Sequence, residues 1–190
     1  MTSDGTHAHD TDRHPGEDAF QRGLILLYQD ADYDGAGRAW QEADALGHPG
    51  AATHLGLLAF HEHRDVAAAE IAYARGAERG DGNGAFHLGL LCEQRGDIDG
   101  AEAAYALGDQ LGHGGAAANL GVMLHERDDA VAAEAAFTRA DARGHGSGAF
   151  NLGLIREARG DHAGAREAYL RAHERGESGA DQALARLLTP

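Results

Sequence analysis

Ala85-Phe86-His87-Leu88-Gly89-Leu90-Leu91 contains the Leu-Gly pair that decides the fold, because the pair recurs. It stands at Leu55-Gly56, Leu88-Gly89, Leu120-Gly121 and Leu152-Gly153, with spacings of 33, 32 and 32 residues. A degenerate copy, Arg22-Gly23, lies 33 residues before Leu55-Gly56. An aromatic follows each anchor: Trp40, Tyr73, Tyr105, Phe137 and Tyr169. Four residues before each aromatic is an Ala (Ala36, Ala69, Ala101, Ala133, Ala165), and directly before it another (Ala39, Ala72, Ala104, Ala136, Ala168). Seven residues after each is a Gly: Gly47, Gly80, Gly112, Gly144 and Gly176. Five registers that agree in all these columns define a tandem repeat.

Each unit reads as two helices. The first carries the anchor and the second the Ala-x-x-Ala-aromatic motif. Stretches such as Arg95-Gly96-Asp97 and Arg159-Gly160-Asp161 separate them. Gly there ends one helix at positive φ, and Asp caps the next. Repeats 1 and 2 have one extra residue between anchor and aromatic, so their inter-helix turn should differ. No unit buries its apolar face alone; stacking of neighbours makes the core. Residues 178–188, with Leu184, Leu187 and Leu188, read as a last helix covering repeat 5. Residues 1–15 are acidic, hold three His and lack apolar content, which predicts a disordered tail before a repeat domain over residues 16–190. The expected fold is all-α: about five helix-turn-helix repeats of 32–33 residues and a C-terminal capping helix.

The 190 residues carry a net charge of -15, and all 16 basic residues are Arg. That field repels duplex DNA and anionic lipid, so neither nucleic acid nor membrane is expected as a partner. One Cys excludes an internal disulfide and fits a reducing cytoplasm. The Met1 end lacks the basic and apolar segments of a signal peptide, and no apolar run reaches the ~18 residues of a membrane span. Richness in Ala, Gly, Arg and Asp without Lys fits a high-GC bacterial genome.

The columns resemble the tetratricopeptide and Sel1-like repeat families over about residues 17–188. Gly144-His145-Gly146-Ser147-Gly148-Ala149-Phe150-Asn151-Leu152-Gly153-Leu154-Ile155 is especially similar to Sel1-like units. Two features depart from that pattern. The insert between the helices is short, and the family's aromatic after the anchor is replaced by Leu26, Ala59, Cys92, Leu124 and Arg156. The resemblance implies a right-handed superhelical solenoid whose first helices line a concave groove that binds peptides or proteins.

The residue before each anchor forms a polar column of Gln21, His54, His87, Asn119 and Asn151. Each side chain offers a donor and an acceptor. By the resemblance they contact a bound backbone; the alternative is that they tie neighbouring helices together or face water. Further along the first helices are Leu27, Tyr28, Phe60 and His61 in early repeats, and Glu93, Gln94, His125, Glu126 and Glu157 in later ones. An apolar end and an acidic end would suit a basic-amphipathic partner segment. The expected partner-binding residues are therefore Gln21, Tyr28, His54, His61, His87, Asn119 and Asn151. Phe20, Phe86 and Phe150 read as inter-repeat packing.

The thirteen His do not spell a metal site. His61 and His63 fall on different helix faces, and His54, His61 and His87 lack fixed third and fourth ligands. His48, His113 and His145 each follow a helix-ending Gly, a place that favours a cation at the negative helix end. Catalysis has as little support. Ser147 and Ser178 fall where capping explains them, Cys92 falls on a buried position, and the Gly-rich stretches lack a following Lys. The expectation is a non-enzymatic scaffold or adaptor without cofactor or metal. The alternatives are a self-assembling module, suggested by Leu24-Ile25-Leu26-Leu27 at the first helix, and a His-based metal binder.

Overall fold

The computed structural model describes residues 14–187, and all the regular structure there is helical. Two compact units divide at Arg79 and Gly80. The first holds two helix pairs: α1 (Glu17–Tyr28) with α2 (Tyr33–Ala45), and α3 (Pro49–His61) with α4 (Val66–Glu78). The second holds three: α5 (Gly82–Gln94) with α6 (Ile98–Gln110), α7 (Gly114–Glu126) with α8 (Ala130–Ala142), and α9 (Gly146–Ala158) with α10 (His162–Glu174). It ends in α11 (Ala180–Leu187). These are the five repeats and the final helix that the columns predict. The disordered tail expected before them lies, but for His14 and Pro15, outside the described residues.

Local chemistry sets the helix boundaries. Asp32, Asp65, Asp97, Asp129 and Asp161 are the N-caps of the second helices. Each carboxylate accepts from the backbone N–H three residues on, at 2.8–3.0 Å. At the other end the Gly column adopts φ between 79° and 89° from Gly80 to Gly176, and 80° at Gly47. The next residue then donates to a carbonyl five back, as His113 does to Gly108 at 2.9 Å. This left-handed terminator needs no Cβ, which is why Gly holds the column.

The extra residue of repeats 1 and 2 is taken up in the turn. Asp97, Asp129 and Asp161 donate their N–H to the carbonyl five residues back, whereas Asp32 and Asp65 reach six back, to Leu26 and Ala59. Every such turn still has one left-handed residue: Ala31, Arg64, Gly96, Asp128 and Gly160.

Packing within a repeat rests on the anchor Gly. A Cβ built on Gly121 would lie 2.6 Å from Phe137 Cε1, and one on Gly56 would lie 2.6 Å from Tyr73 Cδ1. Gly23, Gly89 and Gly153 meet Trp40, Tyr105 and Tyr169 in the same way. The five aromatics are buried, as are the Ala columns beside them. The α1 run behaves differently from a stacking surface. Leu24, Leu26 and Leu27 pack against the Trp40 cluster, which leaves Ile25 and Tyr28 as the exposed apolar groups.

Ion pairs join successive repeats. Asp109 is 7% exposed in its side chain, and Arg139 grips it through Nε and Nη2 at 2.9 and 2.5 Å, with Arg143 Nη1 at 2.5 Å. Asp141 is held the same way by Arg171 and Arg175, and in the first unit Asp44 by Arg75 and Arg79. Burial opposes ionisation of Asp109 and Asp141, but the paired guanidiniums outweigh it and hold both carboxyls below the usual range. The Asp column lapses at Ala77 and again in the last repeat, at His173, and the Arg column lapses at Leu107 and Leu111.

Two outcomes follow for stability. Gly121→Ala gains about 1 kcal/mol in helix propensity but drives a methyl into Phe137, with a net loss of about 1–2 kcal/mol in chemical denaturation. Adding Phe137→Leu should recover part of that loss. Arg64 holds φ 57°, which costs an L side chain, so Arg64→Gly should raise stability by about 0.5–1 kcal/mol.

Candidate functional site

The exposed face of the first helices is the candidate binding surface. In the second unit His87, Asn119 and Asn151 are half-buried on α5, α7 and α9. Three residues further on, and so on the same helix face, stand Leu90, Val122 and Leu154, which are 38%, 41% and 38% exposed. Each successive first helix thus presents a polar group beside an unburied aliphatic one. The sequence signal for the aliphatic row is the residue after each Leu-Gly anchor.

In the first unit the polar positions differ. Gln21 donates Nε2–H to Glu17 Oε1 at 2.8 Å along its own helix. His54 donates Nδ1–H to the Gly50 carbonyl at 3.0 Å, and its ring lies 4.9 Å from Phe20 and 4.8 Å from Trp40. Its ring therefore packs between α1 and α2. Tyr28 and His61 are brought together: both border a depression of 480 Å³ between α1, α2 and α3. Leu27, Leu57, Leu58 and the buried Trp40 line its interior. Tyr28, Tyr33, His61 and Glu62 are exposed around it, Tyr28 by 77%.

The two carboxylates expected at the acidic end are engaged within the fold, Glu157 half-buried and Glu93 still exposed. Tyr105 and Tyr169 donate their hydroxyls to Glu93 and Glu157 at 2.6 Å, and Arg186 holds Glu157 by two further bonds of 3.0 and 2.6 Å. Arg186 and then Tyr169 bring the Glu157 carboxyl down to about 2. Burial, reinforced by these carboxylates, pushes both tyrosine hydroxyls far above their ordinary value. Both glutamates satisfy buried phenols; repeat 2, whose aromatic is Tyr73, has Phe60 in place of the carboxylate. Repeat 4 has Phe137 and no carboxylate at the matching His125. His125 and Glu126 remain exposed.

The histidines after the Gly column also need correction. His48, His113 and His145 are N-caps of α3, α7 and α9, because the left-handed Gly turns the chain into the next helix. They face the positive helix end, which disfavours a cation. His113 Nδ1 accepts from Ala116 N–H at 3.0 Å, a bond that requires an unprotonated nitrogen. Its ring stacks on Phe86 at 4.4 Å, as His48 stacks on Phe20 at 4.1 Å. Burial first, then the neighbouring His145 and Arg143, lower the His113 pKa, with Asp81 opposing. Ser147 does not cap α9; its hydroxyl meets His145 Nδ1 at 3.0 Å.

Cys92 is buried, and the Arg95 guanidinium lies 3.6 Å from its sulfur. Among the described residues no three of His, Cys, Asp and Glu are grouped to hold a metal ion, and no helix is long and apolar enough to cross a membrane.

No protein-family model and no curated protein matches the sequence. Solved structures do match in fold. A protective antigen of uropathogenic Escherichia coli displaying an SLR fold aligns with 90% of this chain at TM-score 0.81 and 22% identity. The chain spans only 41% of that antigen's length. A Sel1 repeat protein from Oxalobacter formigenes aligns over 92% of this chain and 86% of its own at TM-score 0.75 and 18% identity. An immunity protein from Pseudomonas aeruginosa aligns over 92% of this chain and 69% of its own at TM-score 0.64 and 17% identity.

A pH outcome follows from His113. Its proton affinity is lower folded than unfolded, so the unfolded chain binds more protons below its ordinary value of ~6.5. Stability is full above that pH and falls as pH drops through it. Thermal melts between pH 7.5 and 5.5 should show this slope in the wild type and a shallower one in His113→Asn, which keeps an acceptor but does not titrate.

Proposed function

We propose that this chain, which has the tetratricopeptide/Sel1-like helical-repeat fold, is a non-catalytic scaffold that binds a protein or peptide through the exposed face of its first helices. The observation that carries the reading is the row of Leu90, Val122 and Leu154 left in water beside His87, Asn119 and Asn151. Exposed aliphatic side chains occur elsewhere on the chain, but a row at one position of successive first helices suits an elongated ligand. Helices fixed by caps, rings and ion pairs keep the row ordered before the ligand arrives, so ordering costs fall on the ligand alone. The net charge of -15 favours a partner with a basic-amphipathic segment and disfavours nucleic acid and anionic membrane. A bacterial cytoplasm suits the single thiol and the composition.

Gln21 and His54 contribute less under this reading than the column suggested, since each spends a hydrogen bond inside the fold. The sharper test uses the aliphatic row. Capture from host lysate, read by mass spectrometry, should recover a protein with the wild type and lose it with Val122→Asp/Leu154→Asp, while circular dichroism stays unchanged. Recovery of the same protein by both rejects the face as the binding surface.

A further inference from the structure

The depression beside Tyr28 and His61 has a chemistry of its own. Its interior is aliphatic and indole, and its exposed border carries two tyrosine rings, an imidazole and one carboxylate, Glu62. No Arg lines it. Arg22 is held by Glu42, and Arg75 and Arg79 by Asp44, while Arg38 lines a separate depression on the far side of Tyr33. A volume of 480 Å³ admits a bulky apolar side chain with room for its neighbour. Tyrosine faces attract a cation, and Glu62 supplies the full negative charge beside them.

We propose that this depression is an anchor site for a basic-amphipathic segment of a partner protein: one bulky apolar side chain enters, and an adjacent Arg or Lys lies between the tyrosine rings and Glu62. The proposal rests on the scaffold reading and adds the anchor's place and chemistry. The chain's own first 13 residues do not supply the occupant. Met1 is their only bulky apolar side chain, and Asp4, Asp10 and Asp12 oppose Glu62. A second copy brings another net charge of -15, which works against it as well.

Trp40 lines the depression and is the only Trp in the chain, so its emission reports occupancy directly. The probes are two Trp-free amphipathic peptides of about a dozen residues, identical in Leu and Phe content, one with Arg and one with Glu on the polar face. The full chain is titrated with each, and affinity is confirmed by calorimetry. The Arg peptide should shift Trp40 emission and bind; the Glu peptide should do neither. Tyr28→Ala should weaken binding roughly tenfold and Glu62→Arg roughly fivefold or more, and added salt should weaken it further. Both side chains are exposed, so the variants should fold; matched melting curves verify this.

Equal binding of the Glu peptide, or unchanged affinity in both variants, overturns the proposal. So does an emission change that follows protein concentration alone, which would make a second copy the occupant. Val122→Asp/Leu154→Asp separates the two readings. If lysate capture depends on that pair while the Arg peptide ignores Tyr28 and Glu62, the scaffold stands and the anchor falls.

Discussion

The structure depends on one close approach, in which the ring of each second helix lies where the anchor residue of the first would carry a Cβ. Gly23, Gly56, Gly89, Gly121 and Gly153 face Trp40, Tyr73, Tyr105, Phe137 and Tyr169. The approach fixes how near the two helices lie, and so how much of each ring is buried. It also disciplines the turn. Anchor and ring are 17 residues apart in the first two repeats and 16 in the others. Because the contact does not shift, the spare residue is absorbed between the helices, where the carbonyl bond lengthens by one residue. Conformational cost is thereby moved to a solvent-exposed turn and kept out of the core.

Between repeats the forces change character. The second helices face their successors through small Ala side chains, which contribute modest apolar burial, so the Asp carboxylates gripped by two Arg supply direction as well as attraction. A half-exposed Arg on a buried Asp is stronger than a surface pair and costs less desolvation than a fully buried one. Stability in repeat chains is a sum of unit and interface contributions, so each Asp–Arg grip adds to the repeat interface that it spans.

Much of this was legible in the sequence because it is local. The repeat period, helix pairs, Asp caps, Gly terminators and buried rings all follow from spacings within one unit. What escaped was longer in range. The Arg that grips Asp109 is 30 residues away, and the pairing depends on how one repeat lies on the next. Glu93 and Glu157 looked like groove carboxylates because their tyrosines are 12 residues off, across the turn. His113 looked like the end of one helix and is the start of another, since the left-handed Gly112 reverses the chain between them. At the candidate site Tyr28 and His61 border one depression, whereas Leu90, Val122 and Leu154 give no signal in the sequence because exposure cannot be read from an aliphatic letter.

The geometry of the Asp–Arg grip bears on how such a chain can change length. Asp109 meets residues 30 and 34 further on, and Asp141 meets its partners at the same two offsets. Excising residues 113–144, one full period, would set Asp109 before Arg171 and Arg175 at those very offsets. The same holds for inserting a copy of that segment. A cut of another length between Asp109 and Arg139 leaves a buried carboxylate away from its guanidiniums. Electrostatics thus favours whole periods when these repeats are gained or lost.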